Sequence, residues 1–183
     1  MIKKITILVL SLFLLVSCWD TDVSWWTGLK AFENNDFSMY IPNSWIIINN
    51  DDKVLPKPKN WEISLAVSST DINYWFSNNL LVLKQKLNKE TTSRKFAIIN
   101  NVWAAWEYKN YTLLETKDIS FWDIDNSKVY VFEAKYNELT PQLKFVQTSV
   151  VCWKTWYLLT IALALDTKTT DKYVDLLKTF RCK

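Results

Sequence analysis

The sequence contains no histidine and only one glycine, Gly28, among its 183 residues. Without histidine, the chain has no Ser–His or Cys–His couple for nucleophilic catalysis, and it lacks the side chain that usually changes charge near neutral pH. It has no glycine-rich loop that could hold a phosphate and no Cys-x-x-Cys pair that could bind a metal. We therefore expect a protein that is not an enzyme and that uses neither a cofactor nor a metal ion.

The sequence also has no large excess of basic or of acidic residues. The chain has 22 lysines and arginines against 19 aspartates and glutamates, and two of the lysines, Lys3 and Lys4, stand near its start. The rest of the chain therefore carries 20 basic residues against 19 acidic ones. This balance provides no electrostatic attraction to the phosphate backbone, so we expect no nucleic acid among the partners.

The first eighteen residues have the pattern of a bacterial lipoprotein signal. Two lysines precede an apolar run over residues 5–16, which is shorter than the roughly 20 residues that a membrane-spanning helix needs. The run leads into Leu-Val-Ser-Cys at 15–18, which resembles the lipobox that is cut before its lipid-bearing cysteine. The other interpretation is an ordinary secretory signal in which residue 18 happens to be cysteine.

The lipobox interpretation predicts where the protein works. Residues 1–17 are then a signal peptide, and Cys18 carries a diacylglyceryl group and a palmitate-type acyl chain. Two or more acyl chains, at about 0.8 kcal/mol per buried methylene, make a stable anchor. We expect a lipoprotein on the extracytoplasmic face of the cell membrane or outer membrane, with the membrane as its partner through Cys18.

The sequence has 11 tryptophans, and several occupy places where glycine is usual. Average usage near 7% would give roughly 13 glycines in a chain of this length. Residues 25–26 lie in a polar segment, Trp122 precedes a turn-like cluster, and 153–156 separate two β-type runs. Some bacterial lineages read UGA as glycine where conventional translation writes tryptophan. We hypothesise that many of these residues are glycine in the cell, and Trp45 is the one we most expect to be genuine.

Cys152 and Cys182 are the two cysteines that remain besides Cys18. In an oxidising compartment they could form a disulfide that closes a loop of about 30 residues and contributes about 3–4 kcal/mol to stability. The alternative is a pair of buried free thiols, which behave as small apolar side chains.

The mature chain divides into a tether, residues 18–31, and a single domain, residues 32–183. In the domain, alternating apolar and polar residues predict a series of strands. For one of them, at 79–87, we assign Leu81 and Leu83 to the face opposite Lys84 and Lys86. The predicted strands cover residues 37–41, 45–48, 62–67, 79–87, 111–121, 128–136, 144–152 and 157–165.

Two segments have helical periodicity. A helix within residues 91–107 is predicted to have an apolar face, formed by Phe96, Ile99, Val102 and Trp103. A second helix, over about 169–181, begins at Thr169 or Thr170 as its N-cap. Its apolar face consists of Tyr173, Val174, Leu176, Leu177 and Phe180. Mostly antiparallel strands, with helices near the middle and at the end, predict an α+β fold.

Three segments resemble the PsbP-like and DcrB-like domains. Residues 37–45, Phe-Ser-Met-Tyr-Ile-Pro-Asn-Ser-Trp, are similar to the "F-s-hydrophobic-P-x-x-W" opening of these domains. With glycine at 156, residues 155–160 are similar to their penultimate strand, and 173–180 are similar to their closing helix. The resemblance spans residues 32–182 and implies a mostly antiparallel sheet between helical layers, an α/β/α sandwich. It implies an accessory or binding protein and transfers no catalytic residue.

Carboxylate pairs are the remaining candidates for acid–base or calcium chemistry. The pairs at 51–52 and at Asp123 and Asp125 lie in turn-like segments, and the second lacks the glycine and the distal glutamate of a calcium loop. We interpret these carboxylates as solvated turn residues.

Two functions remain open. The first is a lipid-anchored, non-catalytic binding or accessory module for an unidentified protein partner in the cell envelope. The alternative is a glycan- or peptidoglycan-binding lipoprotein that stacks sugar rings on exposed aromatic residues. The tryptophans that would form such a platform are Trp75, Trp103, Trp106 and Trp122.

Overall fold

The structure is a computed structural model that describes residues 28–49, 55, 58, 60–72 and 75–183. The predicted signal peptide, Cys18 and residues 19–27 of the predicted tether lie outside the described residues. The carboxylate pair at 51–52 lies outside them as well.

The described residues form ten β-strands and two α-helices. The strands are β1 (Leu29–Glu33), β2 (Phe37–Pro42), β3 (Trp45–Ile47), β4 (Glu62–Ser69), β5 (Asn79–Lys86), β6 (Lys109–Ile119), β7 (Ser127–Lys135), β8 (Leu143–Cys152), β9 (Thr155–Leu163) and β10 (Arg181–Cys182). The helices are α1 (Ser93–Glu107) and α2 (Asp171–Lys178). Because β1 begins at Leu29, residues 29–31 belong to the folded body and not to the predicted tether.

Seven strands form one sheet in the order β3-β4-β5-β9-β8-β7-β6, and three form a smaller sheet in the order β1-β2-β10. Every neighbouring pair in both sheets is antiparallel. The predicted α+β class with a mostly antiparallel sheet is confirmed. The hairpins β6–β7, β7–β8 and β8–β9 have short connections, whereas β5 and β9 are neighbours although α1 and three strands separate them in the chain.

The seven-stranded sheet buries a different set of side chains on each face, because successive residues in a strand point to opposite sides. Among the described residues, the buried side chains form two hydrophobic cores, a larger and a smaller one. Val129 and Val131 of β7 belong to the larger core, whereas Phe132 and Ala134 of the same strand belong to the smaller core. The larger core also contains residues of α2 and of the three-stranded sheet, and the smaller core contains residues of α1. Helices therefore cover both faces of the large sheet.

Helix α1 begins where Thr92 Oγ1 accepts a hydrogen bond from the Lys95 backbone N–H at 3.2 Å. The helix is confirmed, but its predicted apolar face is wrong. The residues that it buries are small or polar, namely Ser93, Ala97, Asn100 and Ala104. Of the predicted face, Val102 and Trp103 are exposed, and Phe96 and Ile99 are half-buried.

The sheet beneath α1 accounts for this difference. The sheet contributes the rings of Phe132 and Phe145 to the smaller core, and their centroids lie 5.1 Å apart. Small side chains on α1 allow the helix to lie close to these rings. Asn100 reaches the same layer and donates a hydrogen bond to Gln147 at 2.6 Å, and Gln147 donates to Thr160 at 2.8 Å.

Helix α2 has the predicted buried face but is shorter than predicted. Tyr173, Val174, Leu176 and Leu177 are buried, and Phe180 is buried just beyond the helix. The predicted end at residue 181 is wrong, because Arg181 and Cys182 pair with β2 as strand β10. Thr170 occupies the N-cap position without a side-chain capping bond.

Strand β5 has Leu81 and Leu83 on the face opposite Lys84, as predicted, and the more deeply buried face is the one that carries Lys84. Leu80 and Val82 are almost fully buried, whereas Leu81 and Leu83 are half-buried. The buried leucine and valine therefore share a face with Lys84. This lysine lies at the edge of the core, where its ammonium group pairs with Asp36 at 2.7 Å.

The packing of the Tyr108 side chain makes the stability of the fold depend on pH in the alkaline range. Its ring packs against Phe145 and Tyr136, with centroids 5.4 Å away in each case, and burial raises the pKa of Tyr108 above its ordinary value of 10. The unfolded chain ionises at lower pH than the folded one, so this contribution to stability is complete below about pH 10 and declines as the pH rises further. We expect Tyr108→Phe to flatten the alkaline fall in the free energy of unfolding.

Urea denaturation at a series of pH values from about 8 to 12 measures this effect. Tyr40→Phe is the matched control, because Tyr40 is exposed on β2. An alkaline profile of Tyr108→Phe that coincides with that of Tyr40→Phe would contradict the prediction.

Candidate functional site

A disulfide joins the two sheets. Cys152 at the end of β8 and Cys182 in β10 are bonded with an S–S distance of 1.97 Å and a Cα–Cα distance of 5.7 Å. The sequence left a bridge and two free thiols open, and the structure contains the bridge. It fastens the last residues of the chain to the large sheet.

The two ends of the large sheet are formed by different loops. We name them after the residues Gly28 and Cys152, which lie at opposite ends. The described loop residues at the Gly28 end are 43–44, 70–72, 75–78, 136–142 and 164–170. Those at the Cys152 end are 48–49, 55, 58, 60–61, 87–92, 120–126 and 153–154.

A cleft of about 400 Å³ lies at the Gly28 end. Trp45 and Tyr173, both largely buried, form part of its wall, and Asn78 Nδ2 lies 3.5 Å from the Tyr173 hydroxyl. Asp71 and Lys172 add charge to its lining. Because Gly28 is also part of the lining, the cleft adjoins the point at which the described body begins.

A second cleft, of about 650 Å³, lies between α2 and the loop that follows β6. We call it the Tyr40 cleft. It is lined by Tyr40, Ser120, Phe121, Trp122, Asp175, Lys178, Thr179 and Arg181. Two exposed aromatic rings and two basic side chains therefore surround one open space.

The Tyr40 cleft contains a cation over an aromatic face. The Arg181 guanidinium carbon lies 5.4 Å from the centroid of the Trp122 ring, and Trp122 is 82% exposed. Lys178 pairs with Asp175 at 2.7 Å, whereas no described carboxylate lies within ion-pair distance of Arg181. The N–H groups of the Arg181 guanidinium are therefore available to donate hydrogen bonds to a carboxylate or hydroxyl group of a ligand.

The carboxylate of Asp125 has a structural role that the sequence did not reveal. It accepts a hydrogen bond from the Ser93 backbone N–H at 2.8 Å and another from the Ser93 hydroxyl. Ser93 Oγ in turn accepts from the Val151 backbone N–H at 2.9 Å. Asp125 is an exposed loop residue, as predicted, and through Ser93 it also ties the start of α1 to the end of β8.

Other acidic groups are held in ion pairs at the surface. Asp118 lies 2.9 Å from Arg94 and 3.2 Å from Lys128, and the hydrogen bond with Lys128 is the main cause that lowers the pKa of this carboxyl. Lys117 pairs with Asp171 at 2.7 Å and lowers the pKa of that carboxyl in the same way. These carboxylates are acceptors in salt bridges and stay ionised near neutral pH.

The tryptophans occupy three kinds of environment. Trp45 is a core residue, 5% exposed, at the start of β3. Trp75 and Trp153 are exposed and have positive φ angles of 68° and 56°. For a bulky side chain, positive φ is an unusual backbone conformation.

Trp156 is buried beside Phe96 of α1, yet its indole N–H has no hydrogen-bond partner. Its ring lies 3.8 Å from the Phe96 ring and 4.4 Å from the Trp61 ring, centroid to centroid. Buried indole N–H groups usually find an acceptor, so this environment suits a tryptophan poorly.

The four tryptophans of the predicted platform do not form one surface. Trp103 and Trp106 are exposed on α1, which covers one face of the large sheet. Trp122 lies beside Arg181 and α2, on the other side of the sheet. A ligand could therefore stack on Trp122 in the Tyr40 cleft, but not on all four rings.

Within the described residues, no helix combines the length and the apolar character that crossing a bilayer requires. They also contain no cluster of three or more His, Cys, Asp or Glu side chains placed to bind a metal ion.

Comparisons with known proteins show the fold. No protein-family model matches the sequence, and no curated protein matches it. The solution structure of cyanobacterial PsbP (CyanoP) from Synechocystis sp. PCC 6803 is similar over 92% of this chain and 99% of that chain, with a TM-score of 0.58 and 13% identity. A protein of unknown function from Pseudomonas aeruginosa, PA94, is similar over 82% of this chain and 94% of that chain, with a TM-score of 0.51 and 8% identity.

The likeness to cyanobacterial PsbP confirms the predicted PsbP-like fold. Neither of the two descriptions names an enzyme. At these identities the likeness shows the fold alone.

Proposed function

We propose that this chain is a lipid-anchored, extracytoplasmic, non-catalytic binding module for a partner in the cell envelope. The observation that carries the proposal is the disulfide between Cys152 and Cys182, because structural disulfides persist in oxidising compartments outside the cytoplasm. The lipobox-like sequence at 15–18 supplies the matching export and anchoring signal. Gly28, where the described body begins, follows Cys18 by ten residues.

The state of the acidic side chains favours binding over catalysis. General acid–base chemistry needs a carboxyl whose pKa is moved toward the working pH, which burial or a like charge would do. Here, the pKa values of Asp118 and Asp171 are moved downward by hydrogen bonds from lysines. Asp125 is engaged with Ser93. These groups support the fold.

The Tyr40 cleft is the site that we assign to the partner. Tyrosine, tryptophan and arginine are the residues that most often dominate binding energy at protein interfaces. Tyr40 and Trp122 offer exposed rings, and Arg181 offers a guanidinium that can bind a carboxylate through two hydrogen bonds. The partner is therefore expected to present an acidic side chain or a carboxyl terminus to Arg181.

Photo-crosslinking in intact cells tests this assignment. A photoreactive amino acid in place of Tyr40 is expected to capture one protein of defined mass, and Arg181→Ala is expected to reduce that product about fivefold or more. The same amino acid in place of Leu114, which is exposed on β6, is the control position. Equal products at both positions, or a product that is insensitive to Arg181→Ala, would argue against the cleft.

Glycan binding is the second candidate function, and the exposed ring of Trp122 favours it. An aromatic face beside a guanidinium can stack on a sugar ring and donate hydrogen bonds to its hydroxyl groups. If this function is correct, the protein sediments with insoluble peptidoglycan and Trp122→Ala abolishes sedimentation. If the partner is a protein, in contrast, the photoreactive residue at position 40 crosslinks to it, and this chain does not sediment with peptidoglycan.

We also infer that residues 75 and 153 are glycine in the cell. Support comes from their positive φ angles and from the position of residue 153 as the first of two turn residues between β8 and β9, where hairpin turns often have glycine. Peptide mass spectrometry of protein from its native host should find glycine at both positions. Tryptophan at both would contradict the inference. Glycine at 122 would remove the glycan platform but leave Tyr40 and Arg181 in place.

A further inference from the structure

Exposed apolar side chains in the loops are concentrated at the Gly28 end of the large sheet. Leu139, between β7 and β8, is 97% exposed, and Ile72, between β4 and β5, is 74% exposed. Leu165, just after β9, is 43% exposed. Trp75 and Trp106 are exposed at the same end, in the loop that contains Ile72 and in the last turn of α1.

The Cys152 end is different. Among the described residues of its loops, the exposed large apolar side chains are Trp122 and Trp153. If every exposed tryptophan is glycine in the cell, the described loops at this end present none, whereas Ile72, Leu139 and Leu165 remain at the Gly28 end. The asymmetry is therefore independent of how the tryptophan positions are translated.

The same end is where the chain arrives from Cys18. An extended chain spans at most about 3.6 Å per residue, so the ten residue steps from Cys18 to Gly28 keep Gly28 within about 36 Å of a lipid anchor. The apolar loop tips therefore lie on the part of the body that an anchor would hold nearest to the membrane. Local concentration near a surface makes even weak contacts with it effective.

We propose that the Gly28 end rests on the bilayer that holds Cys18, with Ile72, Leu139 and Leu165 inserted among the lipids. This inference rests on the lipid anchor proposed above. The loops at this end carry Asp71, Glu138 and Asp166 against Lys168, so contact depends on apolar insertion and not on attraction to anionic lipid.

This orientation has a consequence for the other cleft. Residues 120–122 and Arg181, which line the Tyr40 cleft, belong to the opposite end of the sheet, where Cys152 is bonded to Cys182. Contact between the Gly28 end and the membrane therefore leaves the Tyr40 cleft directed away from the lipid and open to a partner.

Depth-dependent fluorescence quenching tests the proposal. The lipidated mature protein, with Leu139→Cys labelled by an environment-sensitive dye, is placed in phosphatidylcholine vesicles that contain brominated lipid. Lys154→Cys, in the turn at the opposite end, is the matched control. Both labelled positions are exposed, and the disulfide leaves no other free thiol once Cys18 is acylated.

We expect quenching at residue 139 to be at least twice that at residue 154, and we expect Ile72→Ser combined with Leu165→Ser to reduce it. Equal quenching at both positions on vesicles that carry the protein would overturn this orientation and leave the lipid anchor intact. That outcome is also expected if the apolar tips bind an envelope protein. Protein that does not float with the vesicles at all would overturn both the anchor and the orientation.

Discussion

Cys18→Ser is expected to move the protein from the membrane fraction to the soluble fraction and to leave residues 1–17 uncut. The reason is chemical, because a serine hydroxyl cannot replace the thiol that the diacylglyceryl group alkylates, and lipoprotein processing requires that modification. Loss of two or more acyl chains removes a binding energy of about 0.8 kcal/mol for each buried methylene. Detergent phase partition of cells grown with labelled palmitate measures both the location and the label.

Ser17→Ala is the matched control, because it keeps a small residue before the cut and leaves the thiol of Cys18 unchanged. It should partition and incorporate label as the original chain does. If Cys18→Ser still partitions into detergent and still carries label, the anchor lies elsewhere and the proposed location is wrong.

Removal of the disulfide has the second large expected effect. Cys152→Ala combined with Cys182→Ala should lower the free energy of unfolding by about 3–4 kcal/mol, because the bond closes a loop with a sequence separation of 30. Strand β10 is held to β2 by only two residue pairs, Arg181 with Ser38 and Cys182 with Phe37. Without the bond, these pairs are expected to open first.

Urea denaturation at neutral pH measures this difference, and the reduced original protein should behave like the double variant. Hydrogen exchange of the Arg181 and Cys182 amides reports the local opening. A loss of less than about 1 kcal/mol would show that the bond adds little to the fold.

Most of the strands could be predicted because their pattern is local. Phe37, Met39 and Ile41 alternate with polar or exposed residues in β2, and all three are buried. The same period of two identified the hairpin strands β7, β8 and β9, which lie next to one another in the sheet. Antiparallel neighbours need only short connections, so the sequence order and the spatial order of these three strands agree, whereas the pairing of β5 with β9 has no such local signal.

The buried face of α1 could not be predicted because it depends on volume that other elements fill. The large side chains of Phe132 and Phe145 occupy the space beneath the helix, so Ala97 and Ala104 face inward and Val102 faces solvent. Hydrophobic periodicity ranks residues by polarity, whereas the buried face of α1 is determined by the volume of its side chains.

The Tyr40 cleft could not be predicted from the sequence either, because its residues come from β2, from the loop after β6 and from the end of the chain. A partial signal was present. Tyr40 lies on the polar side of the β2 alternation, and an aromatic residue there is a candidate for binding. Nothing in the local pattern connects it with Phe121 or Arg181.

The central claim is that this body is held outside the cytoplasm by lipid on Cys18. Mass spectrometry of the N-terminal peptide of the mature protein, extracted from membranes of its native host, tests this claim most directly. We expect a peptide that begins at residue 18 and bears a diacylglyceryl group on the Cys18 sulfur. A peptide that begins elsewhere, or a free thiol at Cys18, would contradict it.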